Sequence, residues 1–265
     1  MSSYKSTTLI GEDTDLLILL LYHAKVKDCK DIYFRSDIST PYVYNIGVLK
    51  QLLSDRVCVD LLFTHAFTGC DTTSRIFGIG KKPCFQRNIK DDSVLRSCST
   101  VICSPKNDKV AVENAGSRAM ISLFGGNQSD SLESMRYSLL CKKVATAKTF
   151  VTPERLPPTA SATKFHSLRT HYQIMVWMGT SEGMDPTEWG WDVHCERLVP
   201  IMMDKSPAPD ILLQMIHCNC SAGCNTLRCS CRKHGMDFTS ACGRCQDSNC
   251  DNMSQEPISD EEEQD

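Results

Sequence analysis

The most constraining feature of this sequence is a cluster of cysteines near its C-terminal end. Half of the 16 cysteines fall between Cys218 and Cys250, as two Cys-x-Cys pairs, one Cys-x-x-Cys pair and two single cysteines. The residues between them are mostly small or polar, so the stretch cannot bury enough apolar surface to fold by itself. Metal bonds would have to supply its folding free energy, as they do in small zinc domains.

The remaining chain favours metal bonds over disulfide bonds. Residues 1–8 lack the apolar core of a signal peptide, and the longest apolar run, residues 16–21, is much shorter than the roughly 20 residues of a membrane helix. These features predict an intracellular protein without a membrane partner, in a compartment where thiols stay reduced. A disulfide framework in a secreted protein is the alternative.

Eight thiolates can bind two or three zinc ions. Two separate ions with four thiolates each would satisfy tetrahedral zinc. Three tetrahedral ions need twelve bonds, which eight sulfurs reach only with four bridging sulfurs, or with fewer bridges if His217 or His234 joins the cluster. The number of ions therefore stays open, and the expected ligands are Cys218, Cys220, Cys224, Cys229, Cys231, Cys242, Cys245 and Cys250.

The spacing of these cysteines is itself informative. Besides the two Cys-x-Cys pairs, Cys229 follows Cys224 by five positions, and Cys242 follows Cys231 by eleven. In these features residues 217–252 resemble the tesmin-type CXC domain, a DNA-binding module that holds three zinc ions with nine cysteines. The resemblance implies a zinc cluster that binds DNA.

Two details qualify what this resemblance implies. Phe238 stands where the CXC pattern has a cysteine, which puts the third zinc ion in doubt. Arg228, Arg232 and Lys233 lie among the ligands and would meet backbone phosphates. The alternative is that these three charges only solvate a small domain and offset the charge of its thiolates.

Residues 1–90 alternate between β-like and helical patterns, which predicts an α/β segment with helices on the faces of a sheet. Apolar residues with strand character alternate with apolar residues at helical spacing. The predicted strands cover 7–11 and 31–35, and the predicted helical stretches cover 16–24, 46–53 and 59–67.

Three carboxylates stand next to these elements. Asp13 and Asp15 belong to an acidic turn after the first strand, and Asp71 follows the third helical stretch. Carboxylates gathered at strand ends can hold Mg²⁺ or Mn²⁺ for cleavage of a phosphodiester. A simpler interpretation is that Asp13 or Asp15 caps the following helix.

A glycine turn follows Asp71 at a short distance. Gly78 and Gly80 flank an isoleucine, and Lys82 comes two residues later. Glycines between helices let the backbone approach a phosphate closely.

Together, the acidic turn, Asp71 and the Gly-Ile-Gly-Lys-Lys run resemble the flap-endonuclease (XPG-like) branch of the PIN-type nucleases. The match covers residues 9–82. It implies that Asp13, Asp15 and Asp71 are metal ligands. It also implies a DNA-backbone contact in the turn, and the residues expected there are Gly78, Gly80 and Lys82.

Family members also use carboxylates from an earlier half of the domain. Because this chain begins just before the acidic turn, we expect a truncated or decayed nuclease domain, or an incomplete gene model, and no enzymatic activity. An ordinary α/β core with capping aspartates is the alternative.

The remaining segments are expected to be mostly helical. Residues 91–150 are predicted to be mostly helical, with a β-like run at 101–103. A proline-rich linker at 151–162 and a helical and loop region at 163–216 follow, and the chain is predicted to end in a disordered acidic tail at 253–265. The order of segments resembles uncharacterised animal proteins linked to mobile elements, which implies a nucleic-acid setting and no particular reaction.

The sequence therefore predicts a partial PIN-like α/β fold followed by helices and a cysteine-rich zinc module. The predicted function is DNA binding in the nucleus, with two or three Zn²⁺ ions and a possible Mg²⁺ or Mn²⁺ ion. An active metal-dependent endonuclease is the first alternative, and a protein-interaction scaffold is the second. Protein partners are not predicted.

Overall fold

The computed structural model describes residues 6–25, 31–89, 93–127, 129–146, 155–205, 220 and 223–233. The chain divides into two compact units, Met1–Asp204 and Lys205–Asp265. The strands of the first unit are β1 (Thr7–Ile10), β2 (Ile32–Arg35), β3 (Val43–Asn45), β4 (Trp191–His194) and β5 (Arg197–Pro200). Its helices are α1 (Thr14–His23), α2 (Ile46–Leu52), α3 (Asp55–Thr68), α4 (Lys81–Ile89), α5 (Ser93–Ile102), α6 (Lys109–Leu123), α7 (Leu132–Thr146) and α8 (Ala160–Met178). In the second unit the described residues form one short helix, α9 (Ser230–Lys233).

A three-stranded sheet begins the first unit. β1 runs parallel to β2, and β2 runs antiparallel to β3, in the order β1-β2-β3. The sheet and the first three helices share a small core of buried side chains: Leu21, Phe34, Ile46 and Cys58. The alternating β and α pieces predicted for residues 1–90 are therefore present, and the described chain is mixed α/β.

A larger core lies among the helices. α6 packs against both α5 and α8, and α3 packs against α4 and α8. The fully buried side chains of this larger core include Phe63, Phe67, Leu95, Ile102, Met120, Ile174 and Met175. This packing fixes the position of α3, whose C-terminal end leads into the turn that carries Asp71 of the acidic site described below.

Helix α8 buries polar side chains in this core. His166 lies 2.8 Å from the carbonyl oxygen of Phe67, and His171 lies 2.7 Å from that of Ile102. Arg169 is 2% exposed and donates to the carbonyl oxygens of two residues around the β4–β5 hairpin. Burial lowers the pKa of His166 to about 4, so its ring is neutral and its contact with the carbonyl is an N–H donation.

Two sequence predictions need correction. The β-like run at 101–103 is the end of α5, because Leu95, Cys98 and Ile102 recur at helical spacing and bury one face of that helix. Packing of this face outweighs the strand preference of the β-branched residues. The linker predicted at 151–162 overlaps α8, which begins at Ala160 because the side chain of Thr159 caps it.

Some predicted segments lie outside the described residues. These are residues 206–216, at the end of the predicted helical and loop region, and the acidic tail. None of the helices in the described ranges is long and apolar enough to cross a membrane.

Candidate metal centres

The first candidate centre consists of Asp13, Asp15 and Asp71. One carboxylate oxygen from each of these residues lies within 4.8 Å of the others. Asp13 caps α1, and its Oδ1 accepts a hydrogen bond of 2.9 Å from the backbone N–H of Asp15. The structure thus brings together the three carboxylates that the sequence singled out, and the capping role expected as an alternative is present at the same time.

A tight turn after α3 carries Asp71 to this position. Gly69 ends α3 with a φ of 112°, and a Cβ built on it would lie 2.6 Å from the Cα of Arg75. Thr73 stabilises the turn, since its Oγ1 donates to the carbonyl oxygen of Ala66 and accepts from the N–H of Cys70. Only glycine fits at position 69, which explains the Thr-Gly-Cys-Asp sequence before the carboxylate.

His65 lies beneath the acidic cluster and was not predicted as a site residue. It belongs to α3, its side chain is 2% exposed, and its Nε2 contacts Oδ1 of Asp15. The same nitrogen lies 3.2 Å from Nζ of Lys81, the first residue of α4. The signal available in the sequence was a single histidine within the most apolar part of α3.

Burial and the neighbouring charges shift the pKa of His65 in opposite directions. Burial is the largest effect and lowers the pKa of the ring, and the charge of Lys81 acts in the same direction. The carboxylates of Asp15 and Asp13 act to raise it, without overcoming the burial. The ring is therefore neutral at pH 7.

The glycine turn leads directly into Lys81, the lysine that contacts His65. Gly78 adopts a φ of 77°, which favours glycine, and a Cβ there would meet no atom within 4 Å. Gly80 directly precedes α4, and its carbonyl oxygen accepts from the N–H of Cys84 at 3.3 Å. Lys82 is exposed. Lys81 contacts His65, which lies next to Asp15 of the acidic site.

The second candidate centre contains three of the eight predicted zinc ligands. The sulfur atoms of Cys220, Cys224 and Cys229 lie within 4.8 Å of one another. Sulfurs around a tetrahedral zinc are about 3.8 Å apart, given a Zn–S bond of about 2.3 Å, so the three thiols fit one ion. Cys224 and Cys229 are each 1% exposed.

The other predicted ligands cannot be placed. Cys231 lies in α9, but its side chain is outside the described residues. The remaining four also lie outside the described ranges: Cys218, Cys242, Cys245 and Cys250. Among the residues that it describes, the structure therefore gathers three of the eight predicted ligands.

The basic residues near the thiols are exposed. Arg228, Arg232 and Lys233 all face solvent. Nη1 of Arg232 donates to the carbonyl oxygen of Cys224 at 3.4 Å, which fixes this arginine beside the thiol cluster.

Comparison with protein-family models, curated proteins and solved structures found no match to this chain. The two candidate centres consequently rest on their own geometry and on the motifs of the sequence.

Proposed function

We propose that the protein binds DNA, with a divalent-cation site in its first unit and a structural zinc cluster in its second. The observation that carries the proposal is the convergence of Asp13, Asp15 and Asp71, whose oxygens lie within 4.8 Å of one another. Oxygen ligands at this separation suit Mg²⁺ or Mn²⁺. A cation held there would attract a phosphate of the nucleic-acid backbone.

The first unit, in this proposal, is a partial PIN-like, XPG-like domain that retains cation binding and has lost cleavage. Cleavage by two metal ions needs enough ligands to hold both ions about 4 Å apart. Three carboxylates supply too few oxygens for that arrangement. The proposal therefore describes a DNA-binding protein, derived from a mobile element and located in the nucleus, that is not an enzyme in this form.

The zinc cluster supports the same function from the second unit. Three thiols already fit one ion, and Arg228, Arg232 and Lys233 are exposed beside it. Because the cluster stretch has little apolar surface, zinc would be required for it to fold and to present these charges to phosphates.

A direct test is DNA binding by the purified protein at low salt, before and after removal of metal by a chelator. Phosphate contacts are strongest at low salt, so we expect binding that weakens as salt rises and is lost after chelation. Absence of binding at low salt would contradict the proposal and favour the protein-interaction scaffold, which the near-neutral net charge of −3 also fits.

The active endonuclease is the second candidate, and it is favoured by Lys81, whose Nζ lies 3.2 Å from Nε2 of His65, the histidine that contacts Asp15. Lysine and metal ions together stabilise charge on a phosphate in many phosphoryl-transfer sites. This candidate predicts cleavage of a flap or fork DNA with Mg²⁺ or Mn²⁺ that disappears in Asp71→Ala. Failure of the full chain to cleave either substrate would exclude it.

A further inference from the structure

Strand β1 is exposed on both faces of the sheet, although it pairs in parallel with β2. Leu9 lies in one row with Phe34 of β2, whose side chain belongs to the core shared with the helices, and Ile10 lies in a row with Arg35 on the opposite face. Leu9 is nevertheless 37% exposed, and Ile10 is 56% exposed. Parallel strands are normally covered on both faces, so β1 keeps an unusual amount of apolar surface in water.

The outer edge of β1 carries main-chain groups that are unpaired among the described residues. Thr7 and Gly11 donate their N–H groups to carbonyl oxygens on the β2 side, at 2.8 and 3.0 Å. Because the N–H and C=O groups of successive residues alternate in direction along a strand, those of Thr8 and Ile10 point away from β2. β2 is the one described strand that pairs with β1.

The sequence of this edge lacks the features by which edge strands avoid pairing with other chains. Such strands usually carry a lysine or another charge, a proline, or a bulge. β1 reads Thr-Thr-Leu-Ile, without a charge or a proline, and its register with β2 is regular at every position. An open apolar edge of this kind can bind a further strand through main-chain hydrogen bonds.

The charges that flank β1 in the sequence favour a second copy of this chain as that strand. Lys5 comes two positions before the strand, and Glu12 and Asp13 come two and three positions after it. A two-fold axis pairs the strand antiparallel with itself, which brings the basic end of one copy next to the acidic end of the other. Parallel pairing would instead place the two acidic ends side by side.

We propose that the protein forms a two-fold dimer in which β1 pairs antiparallel with β1 of a second copy, joining the two three-stranded sheets into one. With Leu9 on the axis, Thr8 of each copy exchanges main-chain hydrogen bonds with Ile10 of the other. The two Leu9 side chains then meet on the helix side, and Lys5 is matched in register with Asp13 of the second copy. The dimer goes beyond the proposed function and does not depend on DNA binding.

The test is the mass of the zinc-loaded full chain in solution, measured by sedimentation velocity over a range of protein concentrations. Thr8→Pro removes the outward N–H group, and proline is tolerated on an edge strand where that group faces solvent. Thr8→Val is the matched control, because its side chain has a similar size and it keeps the N–H group. Thermal unfolding of both variants reports whether the fold is retained.

We expect the unmodified protein and Thr8→Val to form dimers with similar dissociation constants. In Thr8→Pro each of the two pairs of Thr8 with Ile10 loses one hydrogen bond, so the dissociation constant should rise about tenfold or more. Lys5→Glu should also weaken the dimer, because it places like charges at both ends of the pairing. Adding Glu12→Lys to that variant should recover part of the loss, since the two charges have then exchanged ends.

A monomer at every concentration would overturn the proposal, and DNA binding by that monomer would leave the proposed function in place. A dimer that is equally stable in Thr8→Pro and Thr8→Val would use another surface, which also overturns it. Weakening by Thr8→Pro without any effect of Lys5→Glu would contradict the antiparallel register. If Thr8→Pro lowers the unfolding temperature sharply, the two charge variants decide the question, because they leave the main-chain donors intact.

Discussion

The carboxylate oxygens of Asp13 and Asp71 lie within 4.8 Å of each other, although two strands and three helices separate them in sequence. Like charges at this separation repel, and a bound cation would relieve the repulsion. The fold holds them there by two local devices, the cap of α1 and the glycine turn after α3. The repulsion and the glycine turn lead to separate predictions.

The acidic cluster should destabilise the protein when no divalent cation is present. We expect Asp71→Asn to raise the unfolding temperature slightly in metal-free buffer, by about 1 °C, because Asp71 is exposed and the repulsion is screened. The same variant should lose the stabilisation that Mn²⁺ gives to the unmodified protein. Thermal unfolding with and without Mn²⁺ measures both effects. An equal response to Mn²⁺ in the two proteins would exclude Asp71 as a ligand.

The turn at Gly69 should be intolerant of any side chain. Gly69→Ala places a Cβ 2.6 Å from the Cα of Arg75 and keeps a φ of 112°, so we expect a loss of about 2–3 kcal/mol in the free energy of unfolding. Gly179→Ala is the matched control. Gly179 has a φ of 72° but open space around it, so only about 1 kcal/mol should be lost. Urea unfolding of both variants gives the comparison, and equal losses would contradict the steric explanation.

The buried histidines of α8 predict a loss of stability in acid. The folded pKa of His166 is about 4, below its ordinary value of 6.5, so the unfolded state binds a proton that the folded state does not. The contribution of the neutral His166 ring to the free energy of unfolding is complete above pH 6.5 and declines as the pH falls toward 4. Between pH 7.5 and pH 5 we expect a loss of about 2 kcal/mol from this residue.

The measurement is urea unfolding at pH 7.5 and at pH 5, with His166→Gln as the comparison. Glutamine can donate to the carbonyl oxygen of Phe67 in place of the ring and does not titrate. The variant should therefore show a smaller loss between the two pH values. Burial also lowers the pKa of His171, so some pH dependence should remain. An identical pH dependence in the two proteins would show that His166 does not contribute.

The sequence predicted the parts of this structure that depend on local pattern. Asp13 follows a strand and precedes an apolar helix, so its position is readable from its neighbours. His65 and Arg169 are different, because the groups that make them important come from α1, α4 and the β4–β5 hairpin. In a pattern of hydrophobic spacing such buried polar residues are interruptions, and the pattern contains no information about the residues distant in sequence that contact them. The end of α5 has the strand preference of its β-branched residues locally, whereas its helical state depends on the spacing of Leu95, Cys98 and Ile102 along the whole helix.

Zinc should be bound through the thiols that the structure gathers. Native mass spectrometry of the full chain, purified without chelator, should show two or three zinc ions. Cys224→Ser should lose at least one ion, because it removes one of three sulfurs within 4.8 Å of one another. Cys195→Ser is the control, since Cys195 lies exposed in the turn between β4 and β5. Retention of every zinc ion in Cys224→Ser would remove this thiol from the cluster, and disulfides in place of zinc would contradict the metal-binding interpretation itself.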